Sequence, residues 1–184
     1  MKKYKLKLFV EDREYMQWVL NDPETLYSTD MKIFEKFDPV KFKMLNQDVV
    51  DIIVTETNEF SVTIDFSLLR NSKRIPGVLM LADKPCGKHK DKFLYKCVPD
   101  DKRIPIFLVP YKEKSNFNKQ KINKYITFSY HHWEDKHPRA SIVDLIGDVN
   151  ILDNFYEYQL YCKSLNSSIQ NFNKQTIIAL KKQT

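Results

Sequence analysis

The feature that most constrains the fold is a series of short segments in which apolar and polar residues alternate, with turns between them. Residues 4–10 and 60–66 alternate in this way, and a period of two residues is typical of a strand with one buried face. Residues 125–131, YITFSYH, are predicted to form a further strand. Closing such strands into a barrel removes the exposed sheet edges. We therefore predict a mainly all-β fold built from small barrels, with a single larger sandwich as the alternative.

Composition is that of a folded protein. The chain has 184 residues, of which 42% are hydrophobic and 13% aromatic, enough to form a core and too many for a disordered chain. Only 3 glycines are present, so glycine-rich phosphate-binding loops are excluded. The 3 cysteines fit a reducing compartment, and we expect a cytoplasmic protein, with the nucleus as the alternative. No apolar run approaches the roughly 20 residues that span a bilayer, so we expect no membrane partner.

Positive charge is concentrated in the middle of the chain. The formal net charge is +6, but residues 84–124 alone contain 12 Lys and Arg against 4 acidic residues. A localised basic surface favours a polyanion as partner, with nucleic acid the first candidate. The alternative is a lysine-rich face that is merely solvated.

A turn followed by a strand occupies residues 98–109, VPDDKRIPIFLV. Pro99 and Asp101 are turn residues, and Pro105 is suited to the start of a strand because it has no N–H to donate. With Arg103 they form the pattern P-x-D-x-R-x-P. This pattern resembles an element of the second cold-shock-type domain in the ribonuclease II/R family of 3′-to-5′ exoribonucleases, especially the eukaryotic exosome type.

Two further segments carry the same resemblance. Residues 45–52, LNQDVVDI, resemble the L-N-x-D-x-V element that closes the first cold-shock-type domain, with the acid at Asp48. Gln47 stands where the family usually has glycine, the residue best suited to a tight turn. Residues 141–149, SIVDLIGDV, resemble a strand that ends in L-G-x-x-G, and Gly147 is its first glycine.

The resemblance implies tandem OB-fold, cold-shock-like barrels. We place the first domain at residues 1–68 and the second at residues 69–165. Apolar residues then recur at helical spacing between 169 and 180, which predicts an amphipathic helix. Residues 166–184 are accordingly expected to form a C-terminal helix that leads toward a nuclease domain absent from this chain.

The sequence predicts no catalytic residue, metal site or cofactor. The ribonuclease II/R family, which this chain resembles, binds magnesium through four aspartates in the pattern D-P-x-D-x-x-D-D, because Mg²⁺ prefers carboxylate oxygens. This sequence has no such cluster. Cys86, His89 and Cys97 could supply zinc ligands, but their spacing matches no standard zinc motif. We expect this chain alone to be non-catalytic, with an enzyme of a new kind as one further hypothesis.

We predict that the two barrels bind single-stranded RNA, with lysines along the phosphates and aromatic rings stacked on bases. The rings considered for stacking are Phe93, Tyr95, Tyr125, Tyr130 and Trp133, each of which could instead pack in a core. The predicted nucleic-acid-binding residues are Lys88, Lys90, Lys92, Tyr95, Lys102, Arg103, Lys119, Lys121, Tyr130 and Trp133.

The expected partners are single-stranded RNA and a nuclease domain or larger RNA-processing complex. The alternative function is that of a non-catalytic protein-interaction or scaffold module derived from the same fold. In that case, charge reversal at Lys102 and Arg103 would leave RNA affinity unchanged, because there would be none.

Overall fold

The computed structural model describes residues 2–29, 31–57, 59–112, 121–165 and 169–182. Contacts between residues divide the chain into two compact units. The first unit contains residues from 1–72, 101–107 and 130–139, and the second contains residues from 73–100, 108–129 and 140–184. The domain boundaries expected from the sequence, after residues 68 and 165, remain a prediction.

A four-stranded antiparallel sheet forms much of the first unit, in the order β2-β1-β3-β4. Its strands are β1 (Lys2–Val10), β2 (Trp18–Asn21), β3 (Val49–Val54) and β4 (Phe60–Phe66). The strands predicted at residues 4–10 and 60–66 are therefore confirmed.

One face of this sheet is buried because its apolar residues alternate. On β1, Leu6 and Leu8 are 4% and 0% exposed. On β3, Val50 lies opposite Leu6 and Ile52 lies opposite Tyr4, and both β3 side chains are fully buried. Burial of each such aliphatic side chain contributes about 1.5–3 kcal/mol, which fixes the register of the sheet.

An aromatic cluster in this unit joins the sheet to the segment between β2 and β3. A 3-10 helix, Met31–Phe34, places the ring of Phe34 5.6 Å from that of Tyr4 and 6.0 Å from that of Phe60. Phe37 in turn lies 5.2 Å from Phe60 and 5.9 Å from Phe34. These edge-on and stacked contacts hold the rings in fixed positions.

A tight turn precedes β3, as the resemblance to the L-N-x-D-x-V element implies. Gln47 adopts a left-handed backbone with φ 69°, the conformation that glycine adopts most readily, and its N–H donates to the carbonyl of Leu8 at 2.8 Å. Asp48 closes the turn by accepting the N–H of Leu45 at 2.8 Å and the hydroxyl proton of Ser67.

The second sheet closes into a barrel. Its strands are β5 (Ile75–Leu79), β6 (Lys88–His89), β7 (Lys92–Pro99), β8 (Phe107–Tyr111), β9 (Lys124–His132) and β10 (Arg139–Asp148). Pairing runs β5-β9-β10-β8-β7, and β5 also pairs with β7, so five strands form a ring. Ile75, Leu79, Cys97, Ile126 and Phe128 are buried.

Numbered along the chain without the short β6, the barrel strands have the cyclic order 1-2-3-5-4-1. This is a five-stranded Greek-key barrel of the OB-like kind. The predicted all-β class is confirmed, because the structure combines a closed barrel, a second sheet and a C-terminal helix. Closure of the sheet also decides between a barrel and the alternative of a single sandwich.

Gly77 allows β5 to approach the barrel interior closely. A Cβ atom at this position would lie 2.9 Å from Cys97 Sγ, 2.9 Å from Phe128 Cε1 and 3.1 Å from the carbonyl oxygen of Val98. We expect Gly77→Ala to destabilise the barrel by about 1–3 kcal/mol through overpacking.

The alkylation rate of Cys97 under native conditions measures this effect, because its thiol is 0% exposed and burial raises its pKa. A loss of about 2 kcal/mol corresponds to roughly 30-fold faster labelling when the barrel opens transiently. The control is Ser141→Ala, at an exposed position of β10. Equal labelling rates for Gly77→Ala and the control would contradict this prediction.

Three helices complete the described structure: α1 (Leu68–Asn71), α2 (Leu152–Cys162) and α3 (Ile169–Lys182). In α2, Tyr158 and Tyr161 are buried together with Ile146 of β10, and the Tyr158 ring stacks 4.3 Å from that of Tyr125. The predicted C-terminal amphipathic helix is confirmed as α3.

Candidate nucleic-acid interface

A basic hairpin connects the first two strands of the barrel. Lys88 pairs with Phe93 and His89 pairs with Lys92, and backbone hydrogen bonds extend the hairpin to Cys86, whose N–H donates to Leu94 at 2.8 Å. We call residues 84–93 the basic hairpin. In OB folds the connection between the first two strands is one of the loops that bind oligonucleotides, so the basic hairpin occupies the position of such a binding loop.

Lysines dominate the surface of the basic hairpin. Lys84, Lys88, Lys90 and Lys92 are all exposed. The acid within the hairpin, Asp91, accepts a charged hydrogen bond from Lys112 Nζ at 3.1 Å. This lysine holds the pKa of Asp91 below its usual value. The carboxylate charge is thereby offset, and the hairpin lysines present a net positive surface.

An exposed aromatic ring stands among these lysines. Phe93 is 43% exposed, and Lys88 Nζ lies 5.0 Å from the centre of its ring. A base has a π-face that can stack on such a ring, while neighbouring lysines contact the phosphates on either side. The hairpin therefore has the two chemical elements of a single-strand binding surface.

Replacement of Phe93 by leucine tests the stacking role. We expect Phe93→Leu to weaken binding of a labelled single-stranded RNA by about tenfold, since stacking contributes about 1–3 kcal/mol per base. The salt dependence of binding should not change, because no charge is removed. Phe66→Leu is the control, since Phe66 on β4 is 50% exposed and lies in the first unit. An equal effect of the two substitutions would exclude stacking at Phe93.

Tyr95 requires a correction. Its side chain is 1% exposed in the barrel core, so no face of the ring is open to a base, and the predicted stacking role is wrong. Lys121 Nζ donates to the Tyr95 hydroxyl at 3.1 Å and lies 5.4 Å from its ring centre. Tyr95 and Lys121, two of the predicted binding residues, therefore contact each other within the second unit.

Trp133 and Tyr130 belong to the first unit. Trp133 is 7% exposed, and its indole Nε1 donates to the carbonyl of Asp135 at 3.1 Å; its predicted stacking role is also wrong. Tyr130 is half-buried, and the guanidinium of Arg70 lies 4.9 Å from its ring centre. One face of the Tyr130 ring is therefore covered by a cation.

The P-x-D-x-R-x-P element contains a local ion pair. Arg103 donates to both carboxylate oxygens of Asp101, at 2.9 Å from Nε and 2.8 Å from Nη2. The Arg103 guanidinium holds the pKa of Asp101 below its usual value. The predicted phosphate contact at Arg103 therefore competes with this pairing, whereas Lys102 is exposed. Lys119 lies outside the described residues.

Nine of the ten residues predicted from the sequence lie in the described part of the chain, and they are divided between the two units. Lys88, Lys90 and Lys92 lie together on the basic hairpin, and four others belong to the first unit: Lys102, Arg103, Tyr130 and Trp133. Lys112, which faces Asp91 across strands, was missed because its proximity depends on how β8 lies in the barrel and leaves no signal in the local sequence.

The described part of the chain contains neither a metal-binding cluster nor a membrane-spanning helix. Within the described ranges, no group of three or more His, Cys, Asp or Glu side chains is placed to hold a metal ion. Nor is any helix in the described part of the chain long and apolar enough to cross a bilayer.

The fold and the basic hairpin define an OB-like barrel protein with a basic loop. Among solved structures, the chain is similar to that of yeast Ssd1, a pseudonuclease, with a TM-score of 0.52 and 14% sequence identity. The alignment covers 86% of this chain and 24% of the Ssd1 chain. No family model and no curated protein matches the sequence. At this identity the likeness shows a shared fold.

Proposed function

We propose that this protein binds single-stranded RNA through the basic hairpin of its OB-like barrel. The observation that carries the proposal is the placement of exposed lysines around the exposed ring of Phe93, on the loop between the first two barrel strands. OB barrels use that loop to hold oligonucleotides. Lysine contacts with phosphates supply affinity without selecting a sequence.

We further propose that the chain is a relative of the ribonuclease II/R family that guides RNA without cleaving it. The motifs around Asp48, Asp101 and Gly147 support this, and so does the fold shared with a pseudonuclease. Its partners would then be RNA in the cytoplasm and a nuclease domain or larger RNA-processing complex. The chain spans about a quarter of the length of the Ssd1 chain that it matches, 24%.

Fluorescence anisotropy with a labelled single-stranded RNA tests the proposed function. Three or four phosphate contacts should give a slope of log affinity against log salt of about −2 to −3, at roughly −0.7 per contact for a single strand. The RNA should stay intact with Mg²⁺ present when run on a gel. Absence of binding at low salt would refute the proposal, and stepwise shortening would reveal an active site.

A scaffold function is the second candidate, and the exposed apolar side chains of α3 favour it. Phe172, Ile177 and Leu180 are 70%, 54% and 60% exposed, which is typical of a helix that docks on another protein. The anisotropy experiment separates the two functions, because a scaffold that has lost RNA binding shows no salt-dependent affinity.

A further inference from the structure

A pocket with a volume of about 360 Å³ lies on the first unit. Residues from the start of β1, the 3-10 helix and the segment after it, the end of β3 and the start of β4 line it. All lining residues belong to the first unit. This volume is near the lower limit for small-molecule sites, so the pocket accommodates a compact ligand.

Two aromatic rings, those of Tyr4 and Phe60, form part of the pocket wall. Both side chains are half-buried. Each contacts the ring of Phe34, which is 1% exposed, at 5.6 Å and 6.0 Å between ring centres. Because both rings pack against the buried ring of Phe34, their positions are fixed. They therefore offer a rigid apolar surface to a planar group.

Charged groups surround these rings. Lys2, Lys32 and Lys36 are among the residues that line the pocket, and so are Glu35 and Glu56. Ammonium groups attract phosphate oxygens, whereas carboxylates accept hydrogen bonds from hydroxyl and amino groups. A ligand with a planar ring, hydroxyl groups and a phosphate matches this lining. Its ring suits the aromatic residues, its hydroxyl groups suit the glutamates and its phosphate suits the lysines.

We infer that this pocket binds a single nucleotide unit with a 5′-phosphate. The base contacts Tyr4 and Phe60, the phosphate contacts Lys2 and Lys36, and the hydroxyl or amino donors of the ribose or base face Glu35. The unit could be a free nucleoside monophosphate or the first nucleotide of an RNA. This inference goes beyond RNA binding by the barrel and does not rest on it.

Isothermal titration calorimetry of the whole protein with each nucleoside monophosphate tests the site. We expect saturable binding that is at least tenfold weaker for the matching nucleoside, because the phosphate contacts are missing. Phe60→Leu and Lys36→Glu should each weaken binding by about tenfold. The controls are Phe66→Leu, on the same strand, and Lys41→Glu, at an exposed position outside the pocket lining.

The NMR signal of the Trp18 indole N–H reports whether the nucleotide binds in this pocket. Trp18 lies 5.8 Å from Phe37, which lies 5.2 Å from Phe60, so nucleotide binding should shift the Trp18 signal. Stronger binding of RNA with a 5′-phosphate than with a 5′-hydroxyl would identify an RNA end as the source, and equal binding would identify the free nucleotide.

Three results would overturn the inference: no saturable binding at millimolar nucleotide, equal affinity in the pocket variants and their controls, or an unshifted Trp18 signal. The variant Lys88→Glu/Lys90→Glu/Lys92→Glu separates the two sites. It should bind nucleoside monophosphates like the wild type even if the barrel proves not to bind RNA.

Discussion

Charge reversal of Lys88, Lys90 and Lys92 to glutamate weakens binding of single-stranded RNA by about 100-fold at low salt, because three phosphate contacts are lost and three repulsive charges are added. The slope of log affinity against log salt should become shallower by about 2, at roughly 0.7 per contact. All three side chains are exposed on the basic hairpin, so the substitutions leave the barrel core intact. Anisotropy titrations at several salt concentrations measure both quantities.

A matched triple variant controls for the change in net charge. Lys41→Glu/Lys73→Glu/Lys136→Glu alters the same number of exposed lysines outside the hairpin, and it should change affinity by less than about threefold at physiological salt, where charges that make no phosphate contact are largely screened. If the two triple variants lose affinity equally, RNA binding depends on overall charge and the hairpin has no special role.

Replacement of Asp48 by alanine is expected to destabilise the first unit by about 3 kcal/mol. Asp48 is 0% exposed, and its carboxylate accepts hydrogen bonds from Leu45 N–H and the Ser67 hydroxyl. Alanine leaves these buried donors without an acceptor, at about 1–3 kcal/mol for each group. Urea unfolding followed by tryptophan fluorescence measures the loss, since Trp18 and Trp133 both belong to this unit.

Asp51→Ala is the control because Asp51 lies on β3, the strand that follows Asp48, and pairs with the exposed Lys3 at 3.1 Å. An ion pair of this kind contributes about 0–1 kcal/mol, so the control should be nearly as stable as the wild type. Similar losses for the two variants would show that Asp48 does not organise the turn.

The effect of Asp48 should also depend on pH. Burial raises its pKa above the ordinary value of 3.8, so the folded unit holds this proton more tightly than the unfolded chain does. The contribution of Asp48 to wild-type stability then falls as pH rises through the raised pKa, and Asp48→Ala lacks this contribution. The cost of the substitution should therefore be larger at acidic pH than at neutral pH, as urea titrations at several pH values would show.

Local patterns in the sequence were sufficient to predict several of the strands. The alternation in residues 60–66 coincides with β4, since a sheet face that packs on a core imposes a period of two. Residues 45–48 also form the predicted turn, even though Gln47 has to adopt φ 69° without the freedom of glycine. The strand at residues 60–66 and the turn at residues 45–48 each depend on neighbouring residues, so the local sequence is enough to predict them.

The candidate site was harder to predict because it depends on which face of a barrel strand points inward. In β7, Leu94 and Tyr95 are both buried, which breaks strict alternation and places Tyr95 in the core. Phe93, two residues before Tyr95, remains exposed. Trp133 is buried by Tyr15, whose ring lies 6.4 Å away, and a contact over such a sequence distance leaves no local pattern.

Photo-crosslinking of a single-stranded RNA to the whole protein, followed by mass spectrometry of the labelled peptides, tests the central claim most directly. The account predicts crosslinks within residues 84–93, with Phe93 the principal site, because an exposed ring stacked on a base is well placed to react. They should disappear in the Lys88→Glu/Lys90→Glu/Lys92→Glu variant. Crosslinks confined to other segments, or retained in that variant, would contradict RNA binding by the basic hairpin.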